Sequence, residues 1–144
     1  MDVPARLLTD TARLPARAHD DDAACDLYAD EAATIAPGAR ATIATGVALA
    51  LPPGSCGLVV PRSGLAARHG ITVLNAPGLI DPGYRGEVKV VLFNSDPDES
   101  FTVAPGDRIA QLLVLETAAG ALALTSGDLE ATTRGEGGFG STGR

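Results

Sequence analysis

Short β-branched runs, each closed by Gly, Pro, Asn or Asp, are the feature that most limits what this chain can fold into. The stretches "ATIATGVALALPPG" (41–54), "CGLVVP" (56–61), "ITVLN" (71–75), "GEVKVVLFNSD" (86–96), "SFTVAPGD" (100–107) and "RIAQLLVLE" (108–116) each read as a strand or a strand with its turn. Their spacing predicts an all-β sandwich or barrel. Long helical periodicity is missing. "SGLAARHG", residues 63–70, is the one short-helix candidate, with Ser63 as its cap and Gly70 as its stop. One further short strand is expected at 121–124, where it would pair within the subunit or with a neighbour.

With 144 residues the chain is read as one domain with a sizeable core. No apolar run approaches a membrane span, and the N-terminal stretch, broken by Pro4, Arg6, Arg13, Pro15 and Arg17, lacks a signal-peptide core. The expectation is a soluble, cytoplasmic protein. Cys25 and Cys56 are too few for a disulfide scaffold and lack metal-site spacing. A formal charge of −7 argues against stable nucleic-acid binding, which rests on phosphate neutralisation by Lys and Arg. It leaves room for a small anionic ligand held by local cations.

Several segments carry more chemistry than a core requires. In "NAPGLIDPGYRGEVKVVLFN" (75–94), Pro82 and Gly83 are the centre of an expected type II turn on a rigid hairpin, presenting Asp81 and Tyr84 together. That pair is either a turn-capping aspartate beside a packed tyrosine or part of a site. "PRSGLA" (61–66) places Arg62 and Ser63 at a strand-to-helix junction, as a plain cap with a surface arginine or as an anion site. In "GDRIAQLL" (106–113), Gln111 interrupts an apolar strand and must be satisfied by backbone or face a site. Asp26, within apolar "AACDLYA" (23–29), must be exposed, paired or near a cation. The ending "RGEGGFGSTGR" (134–144), with five glycines, is either a frayed terminus or a lid that orders over a ligand.

In this order, "AACDLYA", "PRSGLA", "NAPGLIDPGYRGE", "GDRIAQLL" and "RGEGGFGSTG" resemble the five motifs of the homotrimeric deoxyuridine triphosphate nucleotidohydrolases (dUTPases), from about residue 22 to residue 143. Ala24 stands where that family usually has glycine. The resemblance implies a distorted jelly roll over residues 1–133, a flexible C-terminal lid over 134–144, and a homotrimer with active sites shared between subunits. It implies hydrolysis of dUTP to dUMP and pyrophosphate, which limits uracil incorporation into DNA and supplies dUMP for thymidylate synthesis.

The implied roles follow residue by residue. Asp81 matches the water-activating carboxylate, and Gln111 a residue that helps hold the water or the α-phosphate. Arg62, Ser63 and Gly64 match phosphate-chain contacts, and Asp26 the acid that reaches substrate-bound Mg²⁺ through waters. Asn75 and the backbone through Gly78, Leu79 and Ile80 would read uracil, Tyr84 would pack on the deoxyribose, and Lys89 also falls among the substrate-binding positions. Phe139 would stack over uracil while Arg134, Gly140 and Ser141 close on the phosphates. Two alternatives stand beside this reading: a related dCTP deaminase, which would carry a catalytic glutamate near the pyrimidine amine, and a catalytically silent trimeric nucleotide-binding module.

Overall fold

The computed structural model describes residues 2–118, 120 and 122–136. It is built from ten strands and one short helix: β1 (Ala5–Leu7), β2 (Cys25–Tyr28), β3 (Ala33–Ile35), β4 (Arg40–Leu49), β5 (Ser55–Val60), α1 (Ser63–His69), β6 (Ile71–Val73), β7 (Gly78–Ile80), β8 (Glu87–Asn94), β9 (Phe101–Val103) and β10 (Arg108–Glu116). Two four-stranded sheets run in the orders β1-β4-β8-β6 and β2-β10-β5-β7, and β3 pairs with β9 beside them. All these pairings are antiparallel. The sandwich expected from the spacing of the β-branched runs is the fold observed.

Alternation along the strands explains the two layers. In β8, Val88, Val90, Leu92 and Asn94 turn inward while their neighbours face out, the period-two pattern of a sheet with one buried face. They meet Leu27, Ile35, Ile43, Val103 and Ile109 in a core of branched aliphatic side chains.

Asn94 is a polar member of that core, fully buried, and every hydrogen-bonding group of its amide is used. Its Nδ2 donates to Ile35 O at 3.0 Å and Glu99 O at 2.8 Å, and its Oδ1 accepts from Asp96 N at 3.0 Å. The loop after β8 is thereby fastened to β3. Asp96 continues the fastening: the N–H groups of Asp98 and Glu99 donate to its carboxylate and hold its pKa below the ordinary value. Asn94→Ala would strand buried carbonyls, each at about 1–3 kcal/mol, so the variant is expected to lose about 2–5 kcal/mol of stability. A denaturant midpoint measurement checks this, with an unchanged midpoint contradicting it.

Two local expectations are corrected. Ser63 is not the helix cap. Arg62 occupies the cap position with extended backbone and no side-chain capping bond, and Ser63 is the first helical residue, its hydroxyl making no hydrogen bond among the described residues. Gly70 does end the helix, left-handed at φ 63°, with its N–H donating to Ala66 O. The strand expected at 121–124 is not formed over 122–124, whose leucines are exposed; Ala121 lies outside the described residues. Among the described residues no strand of this subunit pairs with that segment, and alternation alone cannot hold an unpaired strand, so it is the pairing within the subunit that is overturned. Among the described residues no helix is long and apolar enough to cross a membrane.

Candidate active site

The expected hairpin at 75–94 is instead a corner between the two sheets. β7 pairs with β5, with Val59 opposite Gly78 and Gly57 opposite Ile80, whereas β8 pairs with β4 and β6. Residues 81–86 carry the chain from one layer to the other. The turn closes as expected, with Tyr84 N donating to Asp81 O at 3.0 Å. It is not type II, because Gly83 does not adopt the left-handed φ that such a turn demands at its third position. Pro82 fixes its own φ equally well for the type I alternative. A Cβ at position 83 would meet nothing within 4 Å. Gly83→Ala is therefore expected to change thermal stability by less than about 1 kcal/mol, where a type II turn would be strained by it. A melting curve distinguishes the two.

This corner borders a cavity of about 250 Å³ whose floor is aliphatic, made by Val59, Val73, Ile80 and Val88. Around the floor stand Asn75, Gly78, Leu79, Asp81, Tyr84 and Lys89, so every residue assigned to the nucleoside and the water in this segment lines one pocket. Gly78 permits the close approach of Asn75, whose Nδ2 lies 3.2 Å from where a Cβ would sit. Gly86 does the same for Tyr84: a side chain there would collide with the phenol. The Tyr84 hydroxyl donates to Glu87 O at 2.9 Å, which fixes the ring across the turn. Asp81 is exposed at the rim, with no side-chain partner for its carboxylate among the described residues.

Glu87 lines the same pocket and was not singled out by its sequence context. Its Oε1 accepts from Gly46 N at 2.9 Å and its Oε2 lies 3.5 Å from Lys89 Nζ. Only the register shift in β4 between Ala44 and Ala48, a long-range feature, brings Gly46 within its reach.

A second cluster forms on the other sheet. Asp26 is opposite Gln111 in the β2–β10 pairing, and Gln111 is opposite Val60 in β5, just before Arg62. Asp26 is 5% exposed. Its Oδ1 lies 3.4 Å from both Arg62 Nε and Gln111 Nε2, and its Oδ2 lies 3.3 Å from Arg108 Nη1. Of the three possibilities for a carboxylate in an apolar stretch, this one is paired. Arg62 also donates from Nη1 to Arg108 O at 2.9 Å. Ser63 follows, exposed, and the Arg68 guanidinium folds back over Gly64. Among the described residues no group of three or more His, Cys, Asp and Glu side chains is placed to hold a metal ion.

The two clusters do not meet within one subunit. Continuing the β5–β7 register puts Asp81 level with Cys56, four residues from the Val60 that faces Gln111. Two strand spacings sideways and four residue rises along the sheet separate Asp81 from Gln111 by roughly 16 Å. Arg134 is exposed in the C-terminal segment, while Phe139, Gly140 and Ser141 lie outside the described residues.

The family model for dUTPase matches residues 10–143. The chain belongs to the dUTPase family. It is 51% identical over 146 residues to the deoxyuridine 5'-triphosphate nucleotidohydrolase of Corynebacterium jeikeium, covering 99% of this chain and 94% of that protein. It is 54% identical over 134 residues to the Mycobacterium tuberculosis protein of the same name, covering 90% and 87%. Among solved structures, the dUTPase of Staphylococcus bacteriophage 80alpha with dUPNHPP superposes with a TM-score of 0.92 at 28% identity, covering 99% of both chains. A mutant dUTPase from phage phi11 of S. aureus, described with a structural Mg(II) ion, superposes at 0.83 with 25% identity, covering 88% of this chain and 98% of that one. The jelly-roll architecture of the dUTPases is thus the architecture of this chain.

Proposed function

We infer that the protein is a dUTP diphosphatase, hydrolysing dUTP to dUMP and pyrophosphate by attack of water on the α-phosphate. The observation that carries this reading is the corner pocket: in a chain of the dUTPase family, it sets an unpartnered carboxylate, Asp81, at the mouth of a nucleoside-sized cavity. Uracil enters over the aliphatic floor. β7 is an edge strand, so its outer backbone groups are free to pair with the base edge, with the Asn75 amide beside them. The deoxyribose packs on the fixed Tyr84 ring, where a ribose 2′-hydroxyl would collide.

Asp81 accepts a proton from the attacking water as its oxygen bonds to the α-phosphorus, and the bond to the bridging oxygen breaks to release pyrophosphate. Gln111 orients the water or the α-phosphate. Arg62 and the Ser63 hydroxyl take the phosphate chain, with the serine near the bridging oxygen as negative charge develops there. A lone carboxylate set between two arginines does not supply the oxygen shell magnesium needs, so the residues present fit an ion that arrives on the triphosphate, with Asp26 reaching it through waters. Such an ion neutralises phosphate charge.

The separation between Asp81 and Gln111 supports a site assembled across a homotrimer, one subunit giving the corner and another the Asp26–Gln111 cluster. The C-terminal segment supports the same arrangement: Leu122, Leu124 and Leu129 are 104%, 103% and 84% exposed and bury little or nothing against the described residues of their own subunit. Residues 134–144 then act as the lid, with Arg134, Ser141 and Gly140 at the phosphates and Phe139 over the base.

Deamination of dCTP is the competing reaction, and it requires a glutamate free to serve the pyrimidine amine. Glu87 is the glutamate that lines the pocket, and both its oxygens are engaged by Gly46 and Lys89. Incubation with dUTP, dCTP and UTP, with pyrophosphate and ammonia assayed separately, tests the reading. Pyrophosphate from dUTP alone is expected; ammonia from dCTP, or no product from any of the three, overturns it.

A further inference from the structure

We propose that Arg108 is a positioning residue of this active site: it holds the Asp26 carboxylate and so leaves the Arg62 fork available to the phosphates. The inference rests on the dUTP-hydrolysing reading for the roles of Asp26 and Arg62, and on this chain's geometry for Arg108. Arg108 is exposed on one side and sits at a register shift in the β2–β10 pairing, where Arg108 is opposite Tyr28 and Ala110 is opposite Leu27. Ile109 is the extra residue, and it is buried. In a regular strand, residues 108 and 111 would face opposite sides; one inserted residue puts them on the same side. The bulge therefore aims Arg108 at the carboxylate that Gln111 also faces.

Once there, Arg108 holds two groups. Its Nη1 is the partner of Asp26 Oδ2 at 3.3 Å, and its carbonyl accepts from Arg62 Nη1 at 2.9 Å. Asp26 is buried, so each of its oxygens needs a donor. With Oδ2 supplied by Arg108, Arg62 approaches Asp26 with Nε at 3.4 Å, and among the described residues its Nη2 makes no hydrogen bond and is available to a ligand. Among the described residues Arg108 is the one donor to Oδ2, so without its side chain the strongest available replacement is a two-pronged grip by Arg62 itself. That grip would draw the phosphate-binding fork into the protein. The loss would fall on a contact present before and during reaction, and so on substrate affinity more than on turnover.

The experiment is a double-mutant cycle on Arg108→Gln and Asp26→Asn, read as affinity for a non-hydrolysable dUTP analogue, as the KM and kcat for dUTP, and as the melting temperature. Arg108→Gln is expected to weaken analogue binding by about 10–100-fold, the usual effect of losing a residue that orients a ligand-binding group, with KM rising and kcat little changed. Arg108→Lys, which restores the charge without the fork, is expected to fall between wild type and Arg108→Gln. In the Asp26→Asn background, adding Arg108→Gln should cost no more than about a further twofold, because its action runs through Asp26. Losses that multiply would show that Arg108 acts independently of Asp26 and would overturn the proposal, as would analogue binding by Arg108→Gln within about twofold of wild type. If Arg108→Gln fails to fold, the same cycle is run with Arg108→Lys. Wild-type product analysis with dUTP and dCTP decides the underlying reading separately.

Discussion

Asp81→Asn is expected to lower the turnover of dUTP by about 10²–10⁴-fold, the range lost when a positioned general base is removed. The substitution keeps the shape of the side chain and removes its capacity to take a proton. Asp81 is an exposed residue at the end of the corner turn, and its carboxylate is bonded to no other side chain, so the exchange breaks no packing and no ion pair among the described residues. Because the base acts in the transition state, kcat and kcat/KM should fall together while analogue affinity stays near wild type. Pyrophosphate release within about threefold of wild type would remove Asp81 from the role, since that is far less than the loss of a general base costs. Weakened analogue binding with unchanged kcat would make it a binding residue instead.

The strands that were legible in the sequence are those whose β-branched or aromatic runs stand out between turn residues, the three-residue β6 and β9 included. β4, β5, β8 and β10, with six to ten residues each, begin within a residue of the stretches read as strands or strands with their turns. β1, β3 and β7 also have three residues each but at most two that are β-branched or aromatic, where every residue of β6 and β9 is, and β2 lies in an apolar stretch around Asp26. The Asp-Pro-Gly turn was legible as a turn but not as a type, because Pro82 suits both types and the fate of Gly83 depends on where the chain must go next. That destination is the other sheet. A hairpin is the local solution for two short strands around a turn, and it lost here to long-range pairing of β7 with β5 and of β8 with β4.

The site was legible as motifs and illegible as a network. Asp26 in an apolar stretch announced a carboxylate that had to be exposed, paired or near a cation, but nothing local says that it is paired, or that its partners come from residues 62, 108 and 111. Arg108 stood inside a quoted motif without drawing notice, since an arginine beside an aspartate at a turn is common, and only the one-residue bulge in β10 turns it inward. Glu87 was hidden in the same way, because its meaning depends on the displaced Gly46 amide of β4.

Trimers mixed from two inactive parents should regain activity if the site is shared. One parent carries Asp81→Asn and keeps residues 134–144; the other keeps Asp81 and lacks those residues. Each parent alone has no site that combines an intact corner with an intact tail. An extended eleven-residue segment spans at most about 36–40 Å, so reach permits the tail to close over its own subunit or over another. The geometry of the rest of the chain favours another subunit, since Asp81 and Gln111 lie roughly 16 Å apart within one and the leucines leading to the tail bury little or nothing against the described residues of their own subunit. After co-refolding with random equal assortment in a C₃ assembly, a given site draws its corner and its tail from different chains, so about a quarter of sites combine both intact parts. Recovery toward a quarter of wild-type activity is the expected result. In a self-contained site the corner and the tail come from the same chain, and no assortment repairs it. Mixed trimers confirmed by mass, with activity no higher than that of either parent, would therefore show that each subunit closes its own lid.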